Sequence, residues 1–442
     1  MSHLEQEALQ RILGGEGGPI EAEDAAEHLL ACDRCRAAAG TLIEVLRAEN
    51  HPELSKSGTL QVVFDLIDRE RQSGVDSLTA MAEWAEVRRL PSRRSQRDRV
   101  RMAKACHTTA FLKLVLGELQ EARGWEEAEF LASLAFLSIE AMHQRHKTTL
   151  HASHDLQAEV WTAVANARRL AAEWRRAHQA LDNAERHLKE GTGDRRLKAG
   201  LLSITASTLV DEGHIPQALN TLEECQAIYE GLSEWGLVAR TLIQVANLWE
   251  PIEPEKGLMA LERAAPLIPA EDSYLRLLAE LLRVECLIGA GKPSEALRVF
   301  RRASQLLASS PRLRPRIRGR FTTARLLDAL GYRQEAERIF DEVVDQDIEH
   351  ELYKDAYLDL LYLYGHHMKA GDPDKAARVC RRALSDPALA TVAHEQLQAL
   401  WTLLLEAVAL HPISQDLLSR LRQYVNVHWK HPAATPPWVN SR

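Results

Sequence analysis

Near the start of the chain, HLLACDRC sets His28, Cys32 and Cys35 in the order His-x3-Cys-x2-Cys. Four apart on a helix, His28 and Cys32 share a face, and Cys35 follows at the start of the next helix. Three such donors within one turn supply three corners of a tetrahedral zinc site. A fourth must come from elsewhere, and His3 is the only other His or Cys before His51. The sequence therefore predicts Zn2+ held by His3, His28, Cys32 and Cys35. The competing reading is a pair of cysteines on an apolar helix beside a hydrogen-bonded histidine.

The elements that must position these donors are short. A helix over Leu4–Leu13 is followed by a Gly-rich break at 14–19 (GGEGGP), a helix opening near Glu21, and another over 33–49. A domain of this size has little core, so a metal cross-link between its helices would supply stability that packing cannot.

This segment resembles the zinc-binding anti-sigma family, also described as putative zinc fingers. Its pattern is an upstream His or Cys and then H-x3-C-x2-C, here filled by His3, His28, Cys32 and Cys35. The resemblance covers residues 1–50 and implies a small helical domain that binds a sigma factor and blocks its access to RNA polymerase. Members of that family usually continue into a membrane helix and an external sensor, whereas here a helical array follows. In the intervening TLQVVFDLIDRERQ, Leu60, Val63, Phe64 and Ile67 form an apolar stripe at helical spacing. Such a stripe can clasp a sigma factor or cap the first repeat.

The rest of the chain repeats. The phrases GHIPQAL, GKPSEAL, GYRQEAE and GDPDKAA begin at Gly213, Gly291, Gly331 and Gly371, and each places Ala five residues on, at 218, 296, 336 and 376. The 78-residue gap between Ala218 and Ala296 is two steps of 39, and Gly257 stands at the intermediate position. Ala128 and Ala177 mark earlier, less regular copies, and 388–430 a degenerate last one. Before each phrase lies a helical stretch such as 274–288, where Leu277, Leu278, Leu281, Leu282 and Leu287 recur at helical spacing. Gly ends the first helix of each pair, Pro or Asp opens the second, and Ala lets the two approach. Neither helix can bury its apolar face alone, so the pairs must stack. This pattern resembles the tetratricopeptide repeat (TPR) family. The predicted fold is all-α: a TPR-like helical-hairpin solenoid, wound as a right-handed superhelix, behind a small zinc-binding helical domain. The expected segments are that domain at 1–50, connecting or capping helices at 51–98, the solenoid at 99–430, and a Pro-rich flexible tail at 431–442.

Composition bounds the function. The chain has 442 residues, a net charge of −8, 45% hydrophobic and only 5% aromatic residues, with a mean hydropathy of −0.28. The acidic balance argues against nucleic acid as the main ligand. No apolar run approaches the roughly 18 residues of a membrane span, and MSHLEQEALQ has no signal-peptide pattern. The expected location is the bacterial cytoplasm. Cys106, Cys225, Cys286 and Cys380 are single and fall in apolar stretches, as buried thiols do.

Three further runs have solvated-surface readings beside their functional ones. Basic residues crowd 88–104 and 311–320 and could hold an acidic peptide or a phosphate backbone, or merely face solvent. On the second run Leu313, Ile317 and Phe321 make a core stripe that leaves the arginines outside. His143, His146, His151 and His154 cluster at a turn between repeats, where exposed histidines are ordinary. No HExxH or GxSxG occurs, and AGKPSEA at Gly291 lacks the Ser or Thr of a phosphate loop. The expected function is thus a non-enzymatic protein-protein interaction regulator of anti-sigma type. The alternative is a scaffold, adaptor or target subunit of a protease or signalling complex, with zinc purely structural.

Overall fold

The computed structural model describes residues 4–13, 25, 28–29, 32–48, 75–122, 125–408 and 414–428. His3, the Gly-rich break at 14–19, the stripe Leu60–Ile67 and the tail at 431–442 lie outside the described residues. Those described form helices and turns, with no strand among them, and no helix among them is long and apolar enough to cross a membrane. The chain divides into two compact units, 1–118 with 133–148 and 119–132 with 149–442.

In the first unit, α1 (Gln6–Leu13) and α2 (Asp33–Ala48) pack together. Leu9, Ile12, Leu13, Ala25, Leu29, Ala39 and Ile43 form their common core. Farther on come α3 (75–89), α4 (Arg93–Met102), α5 (Thr109–Glu121) and α6 (Trp125–Gln144), the last two contributing residues to both units. A Ser92–Ser95 capping box starts α4, satisfying end groups that the helix cannot. Val100, Cys106 and Phe111 are buried, and His107 closes this core with a 2.7 Å hydrogen bond between its Nε2 and the Val100 carbonyl. Acids answer several arginines of the first basic run: Arg99 pairs with Glu83, Arg88 with Glu118 and Arg101 with Asp98.

The second unit stacks six helical hairpins, each an A helix followed by a B helix. They are α7 (Leu150–Leu170) with α8 (Trp174–Glu190), α9 (Arg195–Asp211) with α10 (Ile215–Gly231), and α11 (Trp235–Trp249) with α12 (Pro254–Ala264). The next three are α13 (Ser273–Gly289) with α14 (Pro293–Ser309), α15 (Leu313–Ala329) with α16 (Arg333–Glu349), and α17 (Tyr353–Lys369) with α18 (Pro373–Ser385). Each pair packs internally and against its successor, which is the TPR-like solenoid the repeat implies. Three irregular helices end the array: α19 (Pro387–Val392), α20 (Glu395–Ala407) and α21 (Gln415–His428). The last of them packs on α17, touches α9, and accepts at the Val427 carbonyl a 2.9 Å hydrogen bond from Trp174 Nε1.

The repeated phrase has a physical meaning at every copy. Gly213, Gly291, Gly331 and Gly371 have φ of 85°, 71°, 91° and 73°, the left-handed conformation that is costly for a residue with a Cβ. In each turn the next residue's N–H bonds back to the A helix, as from Lys292 to the Leu287 carbonyl at 2.8 Å and from Tyr332 to Leu327 at 2.9 Å, the Schellman closure of a helix end. Ala172, at φ 58°, makes the same turn in the first hairpin without glycine. The alanines that follow, Ala177, Ala218, Ala296, Ala336 and Ala376, have no exposed surface. Gly257 takes that place in the third hairpin because its helix lies closer still. A Cβ there would stand 2.8 Å from Cys286 Sγ and 3.2 Å from the Ala246 carbonyl oxygen.

Candidate functional site

The A helices build the site. Their inward-packed positions are mostly apolar, with Thr208, Thr241, Glu285 and Thr322 among the exceptions, while another face carries Thr162, Asn166, Ser203, Gln244 and Asn247 beside leucines, isoleucines and charged groups. A cleft of about 660 Å³ runs along α7, α9 and α11, between Glu159 and Asp194 on one side of its charge balance and Arg196 and Arg240 on the other. A second cleft of about 310 Å³ continues over α9, α11, α13 and α15, lined by Ser207, Gln244, Asn247, Leu278 and Arg318. Both combine apolar floor with hydrogen-bonding groups of both signs. That mixture suits an extended peptide, whose backbone needs donors and acceptors along its whole length.

Buried ion pairs hold the walls of this cleft. Glu285, 5% exposed, receives Arg318 through Nε at 3.2 Å and Nη2 at 2.9 Å, and Thr322 Oγ1 at 2.7 Å. Arg318 Nη2 also reaches Asn247 Oδ1 at 3.2 Å, and Arg325 Nη2 reaches Glu250 at 2.9 Å. Two arginines of α15 thus reach back two hairpins, Arg318 to α11 itself and Arg325 to its C-cap residue. Burial pushes the Glu285 carboxyl up, but the Arg318 charge and hydrogen bonds outweigh it and hold the group below its ordinary value. Arg169 pairs with Asp211, which Lys354 approaches at 3.7 Å. The sequence reading that left every arginine of 311–320 outside therefore fails at Arg318, and Leu313 of the expected core stripe is 39% exposed while Ile317 is buried. Ile317 keeps its core place, while the groups that meet Arg318 lie on other helices.

Of the four predicted donors, His28, Cys32 and Cys35 lie together, and His3 lies outside the described residues. His28 stands on the short helical piece before α2, Cys32 directly precedes α2, and Cys35 lies in its first turn. Their ligand atoms all lie within 4.8 Å of one another, with His28 Nε2 3.3 Å from Cys35 Sγ. Ligands at tetrahedral zinc bond lengths lie about 3.4–3.8 Å apart, so these three residues fit one face of that polyhedron with little movement. Arg36 Nη1 donates to the Leu29 carbonyl at 2.8 Å, tying α2 to the same helical piece.

The single cysteines behave as core. Burial pushes the thiols of Cys106, Cys286 and Cys380 up to about 12 and that of Cys225 up to about 11, so none is a nucleophile near neutral pH. Of the four clustered histidines, His143, His146 and His151 are exposed. His154 instead faces His187 and Glu190 of α8, residues that sequence reasoning missed because they lie more than 30 positions away.

No protein-family model matches the chain, and no curated protein matches it. Among solved structures it is similar to a Rap protein complexed with competence and sporulation factor. That similarity has a TM-score of 0.45 and 15% sequence identity, over 79% of this chain and all of the other.

Proposed function

We propose that the protein is a non-enzymatic protein-protein interaction regulator that seats a peptide segment in the cleft of its A helices. The observation that carries this reading is the 660 Å³ cleft with its mixed lining of apolar, hydrogen-bonding and charged groups. The buried thiols and the absence of a catalytic motif in the sequence accord with a binding role.

The finer proposal assigns the N-terminal helices to an anti-sigma-type module. Zinc would be held by His28, Cys32 and Cys35, with His3 as the fourth ligand, and would supply a structural cross-link between the helices. The chain's own residues then present the outer surface of α1 and α2 to a sigma factor in the cytoplasm. A second reading keeps the metal structural and makes the chain an adaptor or target subunit of a protease or signalling complex. It is favoured by the way the core from Leu9 to Ile43 closes inward on Cys35.

The test uses the zinc-loaded full chain as bait in a lysate of its source cells, with mass spectrometry of what is retained. Three baits are compared: wild type, the cleft variant Asn166→Arg/Ser203→Arg, and Cys32→Ser/Cys35→Ser. A protein lost from the cleft variant supports the proposal. A sigma factor lost from the Cys variant supports the finer one, and a protease or signalling enzyme the second reading. Identical retention by all three baits refutes both.

A further inference from the structure

On the first hairpin of the second unit, His154 of α7 faces His187 and Glu190 of α8. We propose that these three residues form a second metal site, for a zinc-class divalent ion, that clasps the hairpin forming one wall of the cleft.

His187 and Glu190 are three apart on one helix and project from the same face, while His154 reaches them across the hairpin. The three ligand atoms lie within 4.8 Å of one another. His154 Nδ1 and His187 Nδ1 are 2.9 Å apart, within hydrogen-bond distance, and His154 Nε2 lies 3.4 Å from Glu190 Oε2. Two nitrogens bound to one zinc ion stand about 3.3 Å apart, so an ion between the rings requires them to part by only a few tenths of an ångström. Two imidazoles and a carboxylate are a donor set that zinc and its neighbours accept.

The surroundings favour a cation. Glu190 ends α8, where the helix dipole is negative, and Asp155, which accepts from the N–H and hydroxyl of Thr192, adds a second carboxylate. Arg186 is the opposing charge felt at His187. Access is open: the Glu190 side chain is 54% exposed and that of His154 17%, leaving the fourth position to water. Ala158, one turn beyond His154, and Leu188, beside His187, both line the cleft, so occupancy would fix the wall against which a peptide lies.

Equilibrium dialysis of the full chain against Zn2+, with metal content by mass spectrometry, tests the proposal in the Cys32→Ser/Cys35→Ser background, where the N-terminal thiols cannot contribute. One equivalent is expected there, and it should disappear in the added variant His154→Gln/His187→Gln. Glu190→Gln, at an exposed position, should weaken uptake by more than about tenfold and guards against a folding defect in the histidine variant. With Co2+ as probe, the site should give visible bands without thiolate charge transfer, unlike a site at Cys32 and Cys35. No uptake in the Cys variant, or uptake that survives all three substitutions, overturns the proposal whether or not the N-terminal site binds zinc.

Discussion

Replacing Glu285 by Leu removes the anion around which three A helices are joined. The carboxylate accepts two hydrogen bonds from Arg318 and one from Thr322, and Arg318 also holds Asn247. Breaking a buried pair by removing one member typically costs about 3–5 kcal/mol, because the other charge is left uncompensated. The Arg318 side chain keeps 36% of its surface exposed, so water relieves part of that penalty and the expected loss is about 3 kcal/mol. The double variant Glu285→Leu/Arg318→Leu leaves no orphan charge and should recover most of the loss, giving a coupling of at least about 2 kcal/mol once the loss in Arg318→Leu alone is included. Urea unfolding of the full chain followed by circular dichroism measures each variant of the cycle, the whole array being needed because stability passes between neighbouring repeats. The sign with pH is fixed. Glu285 sits below its ordinary value of 4.5 in the folded state, so its contribution is complete above that value and is lost as pH falls through the lowered one. A single-variant loss under 1 kcal/mol, typical of surface pairs, or a cycle without coupling would refute the reasoning.

Other outcomes follow from the same packing. Gly331→Ala meets no atom within 4 Å but must adopt φ 91°, so it should lose about 1–2 kcal/mol in urea unfolding, and Gly331→Asn less. Gly257→Ala should destabilise despite a helix-propensity gain of about 1 kcal/mol. Adding Cys286→Ala, which removes the sulfur 2.8 Å away, should reverse part of that loss. Burial first, and then the Asp355 charge, raise the buried Asp347 carboxyl well above its ordinary value, with Asp359 and Arg314 also facing it. The folded state therefore binds the extra proton and stability falls as pH rises. Asp347→Asn should raise the Tm at pH 8, and the gain should shrink toward pH 4.

The repeat was legible in the sequence because its causes are local. A left-handed turn demands Gly, and a close helix crossing demands Ala, so Gly213, Gly291, Gly331 and Gly371 with their alanines marked the hairpins before any contact was known. Ala172 shows the limit, since the same turn forms without its signature. The approach of His28, Cys32 and Cys35 to one another was legible for a similar reason, their spacing being set by one helix turn and the start of the next. The cleft was not. Glu285 meets Arg318 and Arg325 meets Glu250 across 33 and 75 positions, and no periodicity in either segment signals its partner. His154 stands among the histidines of its own segment, yet the groups that face it come from the following helix.

The claim that the A-helix cleft is the binding surface is tested most directly by hydrogen-deuterium exchange. The full chain would be measured alone and with the partner that its cleft variant fails to retain. The account predicts that protection on binding concentrates in α7, α9 and α11, and that Asn166→Arg/Ser203→Arg abolishes it. Protection confined to the B helices, with none along the cleft, would contradict it.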